Sequence, residues 1–156
     1  MADASIKVAK STQIVHIGSG TSLAPAAIAP ASDVSVALSG AGNLAAYPRC
    51  DIAVMIAPTA SIASTSTALY VYRRDLNIDG TNDVSAAGAS HRPKYAAALP
   101  VPAATTVSTT HYLHATDVPL PGNGDCEFTI ENGLGVNIPA GWTLKVTPKT
   151  DVGATT

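Results

Sequence analysis

Apolar and polar residues alternate over short runs along most of this 156-residue chain, and Gly, Pro, Asn or Asp closes each run. Alternation with period two places successive side chains on opposite faces of a strand. On this pattern strands are predicted at Ser5–Lys10, Gln13–Ile17, Val34–Leu38, Asp51–Ala57, Ala68–Arg74, Val107–Leu113, Cys126–Glu131 and Thr143–Pro148. The runs are separated by turn-forming stretches such as "GSGTS", "SGAGN", "NIDGTND" and "PLPGNGD". Helix signals are nearly absent, because Thr, Val, Ser, Gly and Pro far outweigh Leu, Glu and Lys. Many short strands with Gly/Pro turns predict an all-β fold, a sandwich or a barrel.

The pattern changes in density near residue 46. Before it stand only four charged side chains, Asp3, Lys7, Lys10 and Asp33, among many Ala, Ser and Gly. "LAPAAIAPAS" suits neither a helix nor a central strand. Residues 1–46 are therefore expected to form an extended N-terminal arm or small strand-bearing extension, ordered by contact with other chains. Residues 47–156 hold the clearest strands and the only Trp, and are expected to form the β-sandwich core. "AAGASHRPKYAAALPVPAATT" is expected to be a long connection between strands.

Charged residues make up 13% of the chain, about half the usual share. A surface so poor in charge suits a protein whose faces are covered by neighbours. The net charge of -2 offers no electrostatic case for nucleic acid. The N-terminus lacks the apolar run of a secretory signal, and no stretch is long and apolar enough to predict a membrane span. Two cysteines, Cys50 and Cys126, do not make a disulfide framework; free buried thiols are expected, in keeping with synthesis in a reducing cytoplasm.

The most suggestive chemistry lies in "RRDLNIDGTND". Asp75, Asn77, Asp79, Gly80 and Asp83 fall at the first, third, fifth, sixth and ninth places of a calcium loop. The twelfth place, which should carry a bidentate acid, is Ala86, and the flanks do not read as helices. A polar turn explains these residues without an ion. No metal or cofactor is expected, and Asp75, Asn77, Asp79 and Asp83 stand as the calcium candidates. His111 and His114 are three apart, so a strand puts them on opposite faces, where one metal does not easily take both. Glu127 and Glu131 share a strand face about 13 Å apart, too far for the paired acids of glycoside hydrolysis. There is no nucleophile elbow and no phosphate-binding lysine after the glycine-rich turns, so the chain is not expected to be an enzyme.

"ALYVYRRDLN" sets Leu69, Val71 and Arg73 on one face and Tyr70, Tyr72 and Arg74 on the other. Tyrosine beside arginine is a composition common at protein contacts, and ordinary cross-strand packing is the alternative. Tyr70, Tyr72, Arg73 and Arg74, with His91 and Arg92 of the basic stretch "HRPK", are the interface candidates. Trp142 follows the turn "PAG" and begins a strand with Leu144 and Val146 on its face, which predicts a core anchor.

"LYVYRRDLNIDGTND", "DVPLPGNGDCEFTIEN" and "IPAGWTLKVTPKT" together resemble the capsid decoration, or cement, proteins of tailed bacteriophages. The resemblance covers about residues 50 to 150. It implies a jelly-roll-like sandwich and a structural virion protein on the outer surface of the capsid, made in the host cytoplasm. The implied partners are the major capsid protein and further copies of the chain, as a dimer or trimer, with neither nucleic acid nor membrane. The alternative from another class is a β-sandwich binding module of a phage tail or fibre that recognises a host glycan, assisted by calcium at the Asp75–Asp83 loop.

Overall fold

The computed structural model describes residues 7–39, 44, 47–57, 68–78, 83–88, 91–101, 110–122 and 125–152. Among the described residues eight strands follow in chain order: β1 (Lys7–Lys10), β2 (Ile14–Ile17), β3 (Arg49–Ile56), β4 (Ala68–Asp75), β5 (Lys94–Pro100), β6 (His111–Pro119), β7 (Cys126–Asn132) and β8 (Thr143–Val152). They form two antiparallel sheets packed as a β-sandwich. The larger is ordered β1-β8-β3-β6, with β2 also on β8; the smaller is β5-β4-β7. β1 and β2 lie end to end along one edge of β8, β1 against residues 149–152 and β2 against residues 144–146. From β3 onward the chain crosses between sheets at every connection except β4 to β5, which gives the jelly-roll-like build.

Period-two alternation accounts for the core. β3 sends Cys50, Ile52, Val54 and Ile56 inward, β4 sends Leu69 and Val71, β7 sends Cys126, Phe128 and Ile130, and β8 sends Leu144 and Val146. Trp142, 2% exposed, closes one end, and its indole Nε1–H donates to the Thr21 carbonyl at 2.8 Å. Large apolar side chains interdigitating from two sheets exclude water over the whole interior, the dominant favourable contribution to folding.

The N-terminal segment is extended, but it lies along the sandwich and shares its core. Ile17, Leu23, Ala29 and Leu38 are all buried there. Residues 23–38 run beside the outer edge of β7 and the segment after it: Ile28 bridges to Glu131 and Leu38 to Cys126 on β7, and Leu23 to Ile138 beyond it. The Leu23 N–H donates to Ile138 O at 2.8 Å and the Ala29 N–H to Ile130 O at 2.9 Å. These bonds satisfy backbone groups that an edge strand would otherwise offer to any passing chain. The boundary expected at residue 46 thus does not divide the core: a few well-spaced large residues anchor a segment that is otherwise small and polar.

Two more expectations are corrected. The connection expected across residues 86–106 contains β5, which pairs with β4 from Ala68↔Pro100 to Arg73↔Lys94. The strand expected at Val34–Leu38 is reduced to the bridge at Leu38, because Val36 is exposed and its carbonyl accepts from a histidine ring. Residues 5–6 and 107–109 of two expected strands lie outside the described residues, and the second of those strands continues as far as Pro119.

Candidate functional site

The expected interface residues divide on the two faces of β4. Tyr70, Tyr72 and Arg74 point outward from the smaller sheet, as the alternation requires. Arg73 points inward and is buried: its Nε meets Asp75 Oδ1 at 2.5 Å, its Nη2 meets Asp75 Oδ2 at 3.1 Å, and Nη1 donates to the Pro119 carbonyl. Asp75 sits two residues along on the same face, so the pair forms without any bend in the strand. Arg73 is therefore not available to a partner, and both Asp75 carboxylate oxygens are engaged by its guanidinium.

On the outer face, Tyr72 is opposite Tyr95 of β5 and Thr129 of β7. The two tyrosine rings meet edge to face with centroids 6.1 Å apart. Arg92 reaches across from the segment before β5 and grips Glu131 with two bonds, Nε to Oε2 at 2.8 Å and Nη2 to Oε1 at 2.6 Å. The Tyr72 hydroxyl donates to the same carboxylate at 2.9 Å. Hydrogen bonds from Arg92 hold the Glu131 carboxyl below the usual carboxylate range, against the opposing effect of its burial. Arg74 completes the face, with Nη1 on Glu127 Oε2 at 3.0 Å and Nε on the Val84 carbonyl at 2.6 Å. His91 is exposed beside Arg92 and bridges to Gly88 through the backbone. The face is thus aromatic, and its charges are already matched in pairs.

The calcium candidates occupy the end of the same strand. Asn77 has φ 50°, a left-handed turn conformation that Asn tolerates. Its backbone N–H donates to Asp83 Oδ1 at 2.7 Å and its side-chain amide to Asp125 Oδ2 at 2.9 Å. Arg74 lies 3.7 Å from Asp83. The Val84 N–H closes the loop on the Asp75 carbonyl at 3.1 Å. The acids described in this loop are held by protein donors; Asp79 lies outside the described residues. Among the described residues no group of three or more His, Cys, Asp or Glu side chains is placed to hold a metal. His111 faces inward and His114 outward on β6, and Glu127 and Glu131 each have their own arginine.

A second charged constellation was not foreseen. Lys10, Lys149 and Arg49 stand side by side across β1, β8 and β3. Three like charges in a row would repel, and three carboxylates separate them. Lys149 Nζ meets Asp51 Oδ1 at 2.5 Å and Asp117 Oδ1 at 3.0 Å; Lys10 meets Asp51 Oδ2 at 2.8 Å; Arg49 meets Asp117 at 2.7 Å and also bonds Asp151. Asp117 enters from a left-handed position, φ 59°, in β6. Burial disfavours the charged Asp51, yet hydrogen bonds from Lys10 and Lys149 outweigh it and hold the carboxyl at about 2. The pairing was hidden in the sequence because its members are up to 141 residues apart, Lys10 to Asp151 (151 − 10).

Two further groups are buried and inert. Burial above all pushes the Cys50 and Cys126 thiols up to about 12; both are free. A thiol so far from its thiolate form is a poor nucleophile.

No protein-family model, curated protein or solved structure matches this chain.

Proposed function

We propose that this chain is a structural virion protein, a capsid decoration or cement subunit that binds the shell of major capsid protein from outside and stabilises the head. The reading is carried by one observation: a jelly-roll-like sandwich in which most of a small stock of charge is tied up in matched pairs. Tyr95, 56% exposed, stands among these pairs on the smaller sheet, an aromatic side chain of the kind that protein contacts cover. Tyr70, Tyr72, Tyr95, Arg74 and Arg92, on the outer face of the smaller sheet, are the residues proposed to meet a neighbour, in a symmetric dimer or trimer or on the shell.

A ligand that binds only the assembled state stabilises it by mass action. Capsids of the phage that encodes the chain should therefore melt at higher temperature when the purified protein is added, with saturation at a fixed ratio to the major capsid protein. Tyr72→Ala together with Arg92→Ala should weaken this effect. Capsids whose melting is unchanged at saturating protein would count against the reading.

A further inference from the structure

The outer face of the larger sheet carries a trough that none of the preceding functions uses. Its floor is β3, with Met55, Ala53 and Asp51 pointing outward. Its walls are the neighbouring strands. Across Ala53 stand His114 of β6 and Lys145 of β8; across Met55 stand Tyr112 and Thr143; beside Asp51 stands Thr147. Alternate strands lie about 10 Å apart, and the outward residues of β3 span about 13 Å from first to last. Because Ala53 is short and its neighbours are long, the sheet surface sinks between them. A hollow of about 190 Å³ is lined by Gln13, Ala53, Met55, Tyr112, His114 and Lys145. It shares Gln13, Ala53 and His114 with a second hollow of about 360 Å³ that continues towards Thr116 and Thr147.

Three features define what fits. Tyr112 is 70% exposed, the most open of the large apolar or aromatic side chains among the described residues, and it stands on the wall as a platform. Desolvating such a ring against an apolar ring face is favourable. Around it the lining mixes apolar side chains, Ala53 and Met55 among them, with hydroxyl, amide and imidazole groups: Thr143, Thr147, Thr116, Gln13 and His114 both donate and accept hydrogen bonds. Lys145 forms no ion pair among the described residues, whereas Lys10 and Lys149 at the far end are matched by Asp51 and Asp117. The trough therefore presents a flat aromatic, a row of hydroxyl-matching groups and one unmatched cation. A peptide strand would join a sheet edge rather than lie across a face, and the floor offers no deep apolar pocket for its side chains.

We propose that this trough binds an oligosaccharide of two or three sugar rings that carries a carboxylate, of the uronic or sialic acid class. One ring stacks on Tyr112, its hydroxyls bond to the threonines, Gln13 and His114, and its carboxylate meets Lys145. The trough faces away from the smaller sheet, so the site needs neither the capsid reading nor the tyrosine face described above.

The test uses the isolated chain. Trigalacturonate and sialyllactose serve as acidic probes, and maltotriose and lactose as neutral counterparts. Binding is followed by calorimetry and by amide shifts at Ala53, Met55 and Lys145. At least one acidic probe should bind with Kd near or below about 1 mM and shift those amides. Tyr112→Ala and Lys145→Gln, both outward-facing, should each weaken it about tenfold without moving Tm. Failure of both acidic probes to bind overturns the proposal. So does equal binding of the neutral sugars, or binding that survives both substitutions. A change of oligomeric state in Tyr112→Ala, read by light scattering, would mark the face as a contact between copies and would equally overturn it.

Discussion

His16 shows how one side chain joins two sheets. It is fully buried on β2, and its Nδ1 lies 2.8 Å from the Val36 carbonyl, so Nδ1 carries the proton and donates. Nε2 then accepts the Phe128 N–H at 3.0 Å, and the Phe128 ring packs edge-on at 6.3 Å. A second proton on Nε2 would set donor against donor. Burial lowers the pKa, against smaller opposing effects from the Val36 carbonyl and from Glu127. The folded chain therefore refuses a proton that the unfolded chain accepts. Stability from this residue is complete above the ordinary histidine value, about 6.5, and falls as pH drops below it. Melting curves of the isolated protein should show Tm falling between pH 7 and pH 5. His16→Gln should lower Tm throughout and flatten the slope in that interval; an unchanged slope would assign the pH dependence elsewhere. Gly20 makes an equally local demand. A Cβ there would lie 1.9 Å from Trp142 Cε2, while the Gly20 N–H bonds the Trp142 carbonyl at 2.9 Å. Gly20→Ala should cost about 1–3 kcal/mol in denaturant melts, and a neutral result would show that the indole has room to shift.

At the scale of elements, the segment covering β7 decides whether the sandwich is complete in one chain. The amides of Leu23, Ala29 and Asn132 all bond across that junction, the last to the Ala27 carbonyl at 2.9 Å. Hydrogen exchange on the isolated protein should find these amides protected to nearly the level of β8. Fast exchange at Leu23 and Ala29, slowed only by a partner, would restore the picture of a waiting arm. Period two made β3, β4, β7 and β8 legible, because over most of their length they bury every second residue, and their start or end points follow the alternation to within a few positions. β5 was illegible: "KYAAALP" has little contrast between its faces and ends in proline, and it is a strand because β4 offers it an edge. The alternation also put Arg73 on the face of Leu69 and Val71, but not the half-buried Asp75 contact that makes this tolerable. The Arg92–Glu131 pair needed β5 and β7 on either side of β4, a long-range arrangement no local pattern carries. Asn132 was missed for the same reason: fully buried, it spans Leu23 O, Val136 O and the Leu134 N–H, three groups brought together only by the fold.

At the scale of the molecule, the sandwich has two outer faces of different character. The smaller sheet shows tyrosines among matched ion pairs, and the larger sheet shows a trough beside a neutral cluster of three cations and three carboxylates. The proposed role makes a quantitative demand on the virion, because a decoration subunit repeats with the lattice it covers. The decisive measurement is the number of copies of this chain per purified particle, from quantitative mass spectrometry against the major capsid protein. A fixed small-integer ratio to the major capsid protein, amounting to hundreds of copies on the head, is the result expected. A handful of copies confined to the tail, or none in the particle, would contradict it.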